Sequence, residues 1–83
     1  MSRLMRGNVV IAIIDELEAM PYTTPKTANG ISINNTGSVD VICEAGNVTI
    51  TVPVGQSYDA DLQEYNTIDV TQGDNYLIEV RGW

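Results

Sequence analysis

The sequence predicts a mainly β domain: a small antiparallel sandwich, a jelly-roll-like sheet pair or an open barrel, preceded by an N-terminal helix and a linker. Three observations predict it. From residue 31 onward apolar residues recur at every second position: Val39, Val41 and Cys43, then Val48, Ile50, Val52 and Val54, then Ile68 and Val70, then Tyr76, Ile78 and Val80. A period of two is what a sheet with one buried and one wet face requires. Turn-forming clusters separate these runs, at residues 34–37, 44–47, 53–55 and 72–75. Before them, residues 9–20 carry apolar side chains at helical spacing, with no breaker until Pro21.

The first element covers residues 1–20 and reads as an assembly or anchoring segment. Val10, Ile13, Ile14, Leu17 and Met20 would share one face of a helix, with Asn8 as its N-cap. Two features oppose the helix. Five of the six residues from 9 to 14 are β-branched. The charges also run against the macrodipole, with Arg3 and Arg6 at the N-terminal end and Asp15, Glu16 and Glu18 toward the C-terminal end. Each exposed charge of this kind costs only about 0.3–1 kcal/mol, which packing can override. A helix is therefore the preferred expectation, with a strand through residues 9–14 as its rival.

Residues 21–30 read as a linker, because Pro21, Pro25 and the pair Asn29-Gly30 leave no periodicity. Residues preceding proline are pushed toward extended backbone, here Met20 and Thr24. Residues 31–83 form the β-domain. Short strands are expected at 31–33, 38–43, 48–52, 56–59, 67–71 and 76–81. Residues 44–47 suit a hairpin turn, Pro53 closes the strand before it, and residues 61–66 serve as a crossover. About six strands in this length fit a sandwich or small barrel.

At 83 residues the chain holds one small domain. A domain of this size buries only about 60–65 % of the surface its unfolded chain exposes, so its core is marginal. Small chains add disulfides, metals or oligomerisation. One cysteine and no histidine remove the first two routes, leaving self-assembly or docking on a larger partner. No metal and no cofactor is expected. The net charge of −7 argues against binding nucleic acid or an anionic membrane, because only Arg3, Arg6, Lys26 and Arg81 oppose the acidic groups. Arg3 and Arg6 before the apolar run at 9–14 superficially suggest a secretion signal. The run is too short, acidic residues follow at once and no small-residue cleavage pattern is present, so neither an export signal nor a membrane span is expected. Without export, the sequons at Asn34 and Asn47 read as polar turn and strand residues.

No constellation supports catalysis. The acidic run at 59–64 lacks the glycine and glutamate that a calcium loop would place at positions 64 and 70, where Glu64 and Val70 stand. It reads as a solvated crossover with Leu62 pointing inward. Paired carboxylates would need a deep cleft, and without histidine no serine or cysteine triad can form. Cys43 shares a face with Val41 and reads as a small core hydrophobe. No catalytic residue is assigned. The aromatic set is Tyr22, Tyr58, Tyr65, Tyr76 and Trp83. Such rings bury their faces and keep a polar tip wet. Tyr58 and Tyr76 are expected in the core, while Tyr65 and Trp83 join the residues expected at subunit contacts.

Residues 31–41 (Ile-Ser-Ile-Asn-Asn-Thr-Gly-Ser-Val-Asp-Val), Val52-Pro53-Val54-Gly55-Gln56-Ser57-Tyr58, Thr67-Ile68-Asp69-Val70 and the stretch from Tyr76 to Arg81-Gly82 resemble a class of short virion proteins of tailed bacteriophages. The resemblance spans residues 25–83 and rests on pattern. It implies a multi-copy, non-enzymatic structural component of a head decoration, head fibre or tail, located in the virion after assembly in the host cytoplasm. Its implied partners are itself, as a homo-oligomer with a trimer preferred, and other virion proteins, without nucleic acid or membrane. It transfers no catalytic residue. The alternative is a small glycan- or protein-binding β-module, and a third reading is an acidic antitoxin-like regulator.

Overall fold

A computed structural model describes residues 9–82. The described chain is six antiparallel strands in one open sheet: β1 (Val9–Asp15), β2 (Tyr22–Asn35), β3 (Val41–Ala45), β4 (Val48–Val52), β5 (Ser57–Gln72) and β6 (Tyr76–Gly82). Their order across the sheet is β1-β6-β2-β5-β3-β4, so β1 and β4 bound it. The Cα radius of gyration, 12.2 Å, is that of a compact domain of this length.

The N-terminal helix expected over residues 9–20 is corrected: no described residue is helical, and Val9–Asp15 is a strand. β-branching and the adverse charge order both disfavour a helix here. Pairing with β6 supplies the packing that decides the matter, setting Ala12 opposite Val80 and Ile14 opposite Ile78. A turn follows, in which the Asp15 carboxylate accepts the Leu17 amide at 2.9 Å. The Met20–Pro21 peptide bond is cis.

Residues 22–30, read as linker, form the first part of β2. The features that suggested a linker mark irregularities within the strand. Pro25 lies where the β2–β5 ladder is interrupted between Thr23 and Ala28, and Gly30 follows a second register shift. Proline cannot donate to a ladder and is tolerated at such breaks. Buried Thr24 fills the gap, its hydroxyl donating to Lys26 O at 2.7 Å. Residues 61–66 are likewise no crossover. They belong to the 16-residue β5, which is continuous from Ser57 to Gln72.

The long β2 and β5 organise the sheet. The second part of β2 pairs with the start of β5 and with β6, while the later part of β5 pairs with β3. One row of inward side chains therefore runs Ile14, Ile78, Ile33 and Tyr58, and the next runs Ala12, Val80, Ile31 and Ala60. Val41, Cys43, Ile50, Val52 and Ile68 from the other half complete the core. The β3–β4 turn has two residues, with Gly46 at φ 62°, as a tight hairpin with glycine first requires.

A polar pin holds the halves together at one end. Asn35 is 1 % exposed. Its Nδ2 donates to Val39 O and to Val52 O, both at 2.9 Å, and its Oδ1 accepts from the Gly37 amide at 2.9 Å. Beside it, Gly37 lies so close to the β5–β6 turn that a Cβ would stand 2.8 Å from the Asn75 amide nitrogen. Asp74 accepts from the Ser38 amide at 2.9 Å and from the Ser38 hydroxyl, and these bonds lower its pKa.

A lowered folded pKa means stabilisation that is complete above the unfolded carboxylate value, about 3.9. That stabilisation is lost as pH falls through the folded value. Asp74→Asn should therefore melt below the parent at pH 7, with the gap closing toward pH 2.5. A gap of equal size at both pH values would contradict the assignment.

Candidate functional site

The strand assignment redistributes the residues read as one apolar face. A strand turns alternate side chains to opposite faces, so β1 divides them. Ile14 is buried in the core. Ile13 faces outward, opposite Glu79, and is 62 % exposed; Val10 faces outward opposite Arg81. Leu17 stands on the following turn, 84 % exposed, and Met20 packs half-buried against the core. Val10, Ile13 and Leu17 thus remain available to a partner, whereas Ile14 and Met20 support the fold.

Tyr65 is withdrawn from the surface. It is buried, and its hydroxyl donates to Gly30 O at 2.8 Å, beside the β2 register shift between Ala28 and Gly30. Burial pushes its pKa up, with Cys43 adding to the shift and Arg81 opposing it. Tyr76 is also buried and Tyr58 packs against the core, matching the expectation for both. Trp83 lies outside the described residues. Two surface residues were not singled out from the sequence. Val9 is exposed at the start of β1, opposite Gly82, and Leu77 is exposed on β6 opposite Asp15 at the other end of β1. Leu77 was legible in principle, because the inward set Tyr76, Ile78 and Val80 leaves it on the other face.

The result is an apolar sheet edge. Edge strands expose a row of backbone donors and acceptors, and proteins that stay monomeric protect them with charge, proline or a bulge. β1 reads Val-Val-Ile-Ala-Ile-Ile-Asp, without lysine or proline; a register shift between Val10 and Ala12 and the terminal Asp15 are the protective features it carries. Among the described residues no strand covers its outer side.

A second feature is an open cleft of about 430 Å³ on the outer face of β2, β5 and β6, lined by Ser32, Asn34, Ser57, Asp59, Leu77 and Glu79 among others. Arg81 donates to Asp59 at 2.6 Å and Ser32 Oγ donates to the other oxygen of that carboxylate at 2.7 Å. The charges at this end of the cleft are therefore engaged within the chain. Chemistry elsewhere is quiet. Cys43 is fully buried, and burial first, then Asp69 and Glu44, push its thiol up to about 12. A thiol so held is not a nucleophile near neutral pH.

Comparison with family models, with curated proteins and with solved structures finds no match for this chain.

Proposed function

We propose that this chain is a non-enzymatic structural component of a bacteriophage virion, a multi-copy head-decoration, fibre or tail protein that assembles through its N-terminal segment. The virion assignment rests on the pattern resemblance of residues 25–83. The observation that carries multi-copy assembly is the apolar β1 edge with Val10 and Ile13 turned outward. A marginal core gains from such contacts, and the charge of −7 keeps separate copies soluble until they meet. Within this reading the sheet is best classed as an open barrel. The Asn35 bond to Val52 O supports that, since it brings β4 back to the end of β2 although two strands separate them in the sheet.

Changing Ile13 and Leu17 together to Asp tests the reading. Both side chains are exposed, so β-sheet circular dichroism should persist while the oligomer is lost. An oligomer of unchanged size would exclude β1 as the assembly surface. One observation favours a second reading, a glycan- or protein-binding module: the polar cleft at Ser32, Ser57 and Glu79. That reading requires a saturable ligand whose binding falls on Glu79→Ala, and retention of binding in that variant would remove it.

A further inference from the structure

We propose that the outer-face cleft binds a primary ammonium on an alkyl stem, presented as a lysine side chain by a partner protein. The inference rests on the second reading above, in which the cleft holds a ligand, and names the chemistry of that ligand.

The strand registers place the groups. One row across the outer face runs Ile13, Glu79, Ser32 and Asp59, and the next runs Asp15, Leu77, Asn34 and Ser57. Neighbouring strands lie about 4.8 Å apart, so half-buried Glu79 stands between Ile13 and Ser32. Arg81 follows on the same face of β6, and it turns away. Gly30, its partner on β2, has no side chain, and Arg81 crosses there to reach Ile31 O at 3.4 Å and Asp59 at 2.6 Å. Asp59 is thereby neutralised. Glu79, which lines the cleft, has no ion pair among the described residues.

The groups around Glu79 are mostly acceptors. The Ser32 hydroxyl donates to Asp59 at 2.7 Å, which leaves its lone pairs for a ligand. Asn34 and Ser57 each add an acceptor in the neighbouring row. An ammonium offers three donors and no acceptor, so it matches this set. An anion would meet the carboxylates of Glu79 and Asp59. A saccharide needs donors as well, and the guanidinium that could supply them is committed to Asp59. The stem has its own contacts. Leu77 is 49 % exposed and Ile13 62 % exposed, so a methylene chain leaving the cleft toward β1 lies on apolar surface. That strip is continuous with the β1 assembly surface, so the ammonium arrives on a docked protein and not as a free amine. The net charge of −7 attracts such a partner.

The test follows backbone amide shifts of the isotope-labelled full chain with n-butylammonium, the peptide acetyl-Ala-Leu-Lys-Leu-Ala-amide and methyl glucoside. Butylammonium should saturate shifts at Ser32, Asn34, Ser57, Leu77 and Glu79 at a concentration on the order of 1–10 mM, the range open to so few atoms. The peptide should bind at least about tenfold tighter, because its leucines reach the apolar strip. Glu79→Gln should weaken both by about tenfold or more. Glu44→Gln, an equal loss of charge at an exposed position on β3, should leave them unchanged. Equal weakening by the two variants would mean general attraction and overturn the site. Saturation by methyl glucoside alone would keep the cleft as a site and overturn its ligand. A peptide no tighter than butylammonium would overturn the protein source. Cleft shifts that follow dilution of the chain alone, and vanish in Lys26→Gln, would make the occupant a second copy and overturn a separate partner. No saturable shift with any probe would overturn the proposal together with the cleft as a ligand site.

Discussion

Replacing Asn35 with Ala is expected to lower folding stability by about 3 kcal/mol, the largest effect of any single polar substitution in this domain. The substitution removes three hydrogen bonds at once and leaves the carbonyls of Val39 and Val52 facing an apolar methyl. A net bond is worth about 1 kcal/mol, and a buried partner left unsatisfied costs about 1–3 kcal/mol more. The loss also uncouples three segments: the end of β2, the loop at 36–40 and the end of β4. For a chain this short, 3 kcal/mol corresponds to a fall in melting temperature of roughly 12–24 °C. Asn35→Asp sharpens the test, because it keeps an acceptor for Gly37 and loses both donors. It should be no more stable than the alanine variant at neutral pH. A melting temperature within about 3 °C of the parent for either variant would show that Asn35 does not pin the sheet.

Ile78→Ala should cost about 2–5 kcal/mol by opening a cavity in the middle of the core. Ile78 is fully buried, and its neighbours across the sheet are Ile14 on β1 and Ile33 on β2. With stability on the order of 4–12 kcal/mol for a chain of this length, that loss removes a large part of the total. Ile14→Ala at the end of the same row should cost less, since β1 bounds the sheet and can shift inward. Urea unfolding of the two variants checks the order. Equal costs would mean that the edge strand is packed as rigidly as the centre.

The β character was legible because one face is apolar at every second residue, and the row Tyr76, Ile78 and Val80 falls inward as alternation requires. Strand lengths were not legible. Pro25 and Asn29-Gly30 carry the chemistry of a linker, and only the facing β5 strand shows that they are irregularities within one long strand. Residues 59–64 looked like a crossover because the acidic side chains outnumber the inward Ala60 and Leu62, and alanine is a weak marker of a buried face. At the N-terminus, Ile13 and Ile14 belong together at helical spacing and apart at strand spacing. The surface set therefore depended on the secondary structure chosen. Tyr65 offered no sequence signal for burial, since its partner, Gly30 O, lies 35 residues away on β2. Of the five N-terminal residues read as one face, Ile14 and Met20 pack into the fold, and Val10, Ile13 and Leu17 are exposed.

The structure also rules out one simple deletion. A chain beginning at Lys26 would lose β1, uncover Ile14's neighbour Ile78 and cut into β2, so its behaviour would report on folding. The most direct measurement keeps the chain intact: its solution mass by light scattering across a dilution series, from the highest soluble concentration down to nanomolar. The account predicts an assembly that dissociates on dilution and is absent when Ile13 carries a carboxylate. A monomer at every concentration, or an assembly indifferent to Ile13, would contradict it.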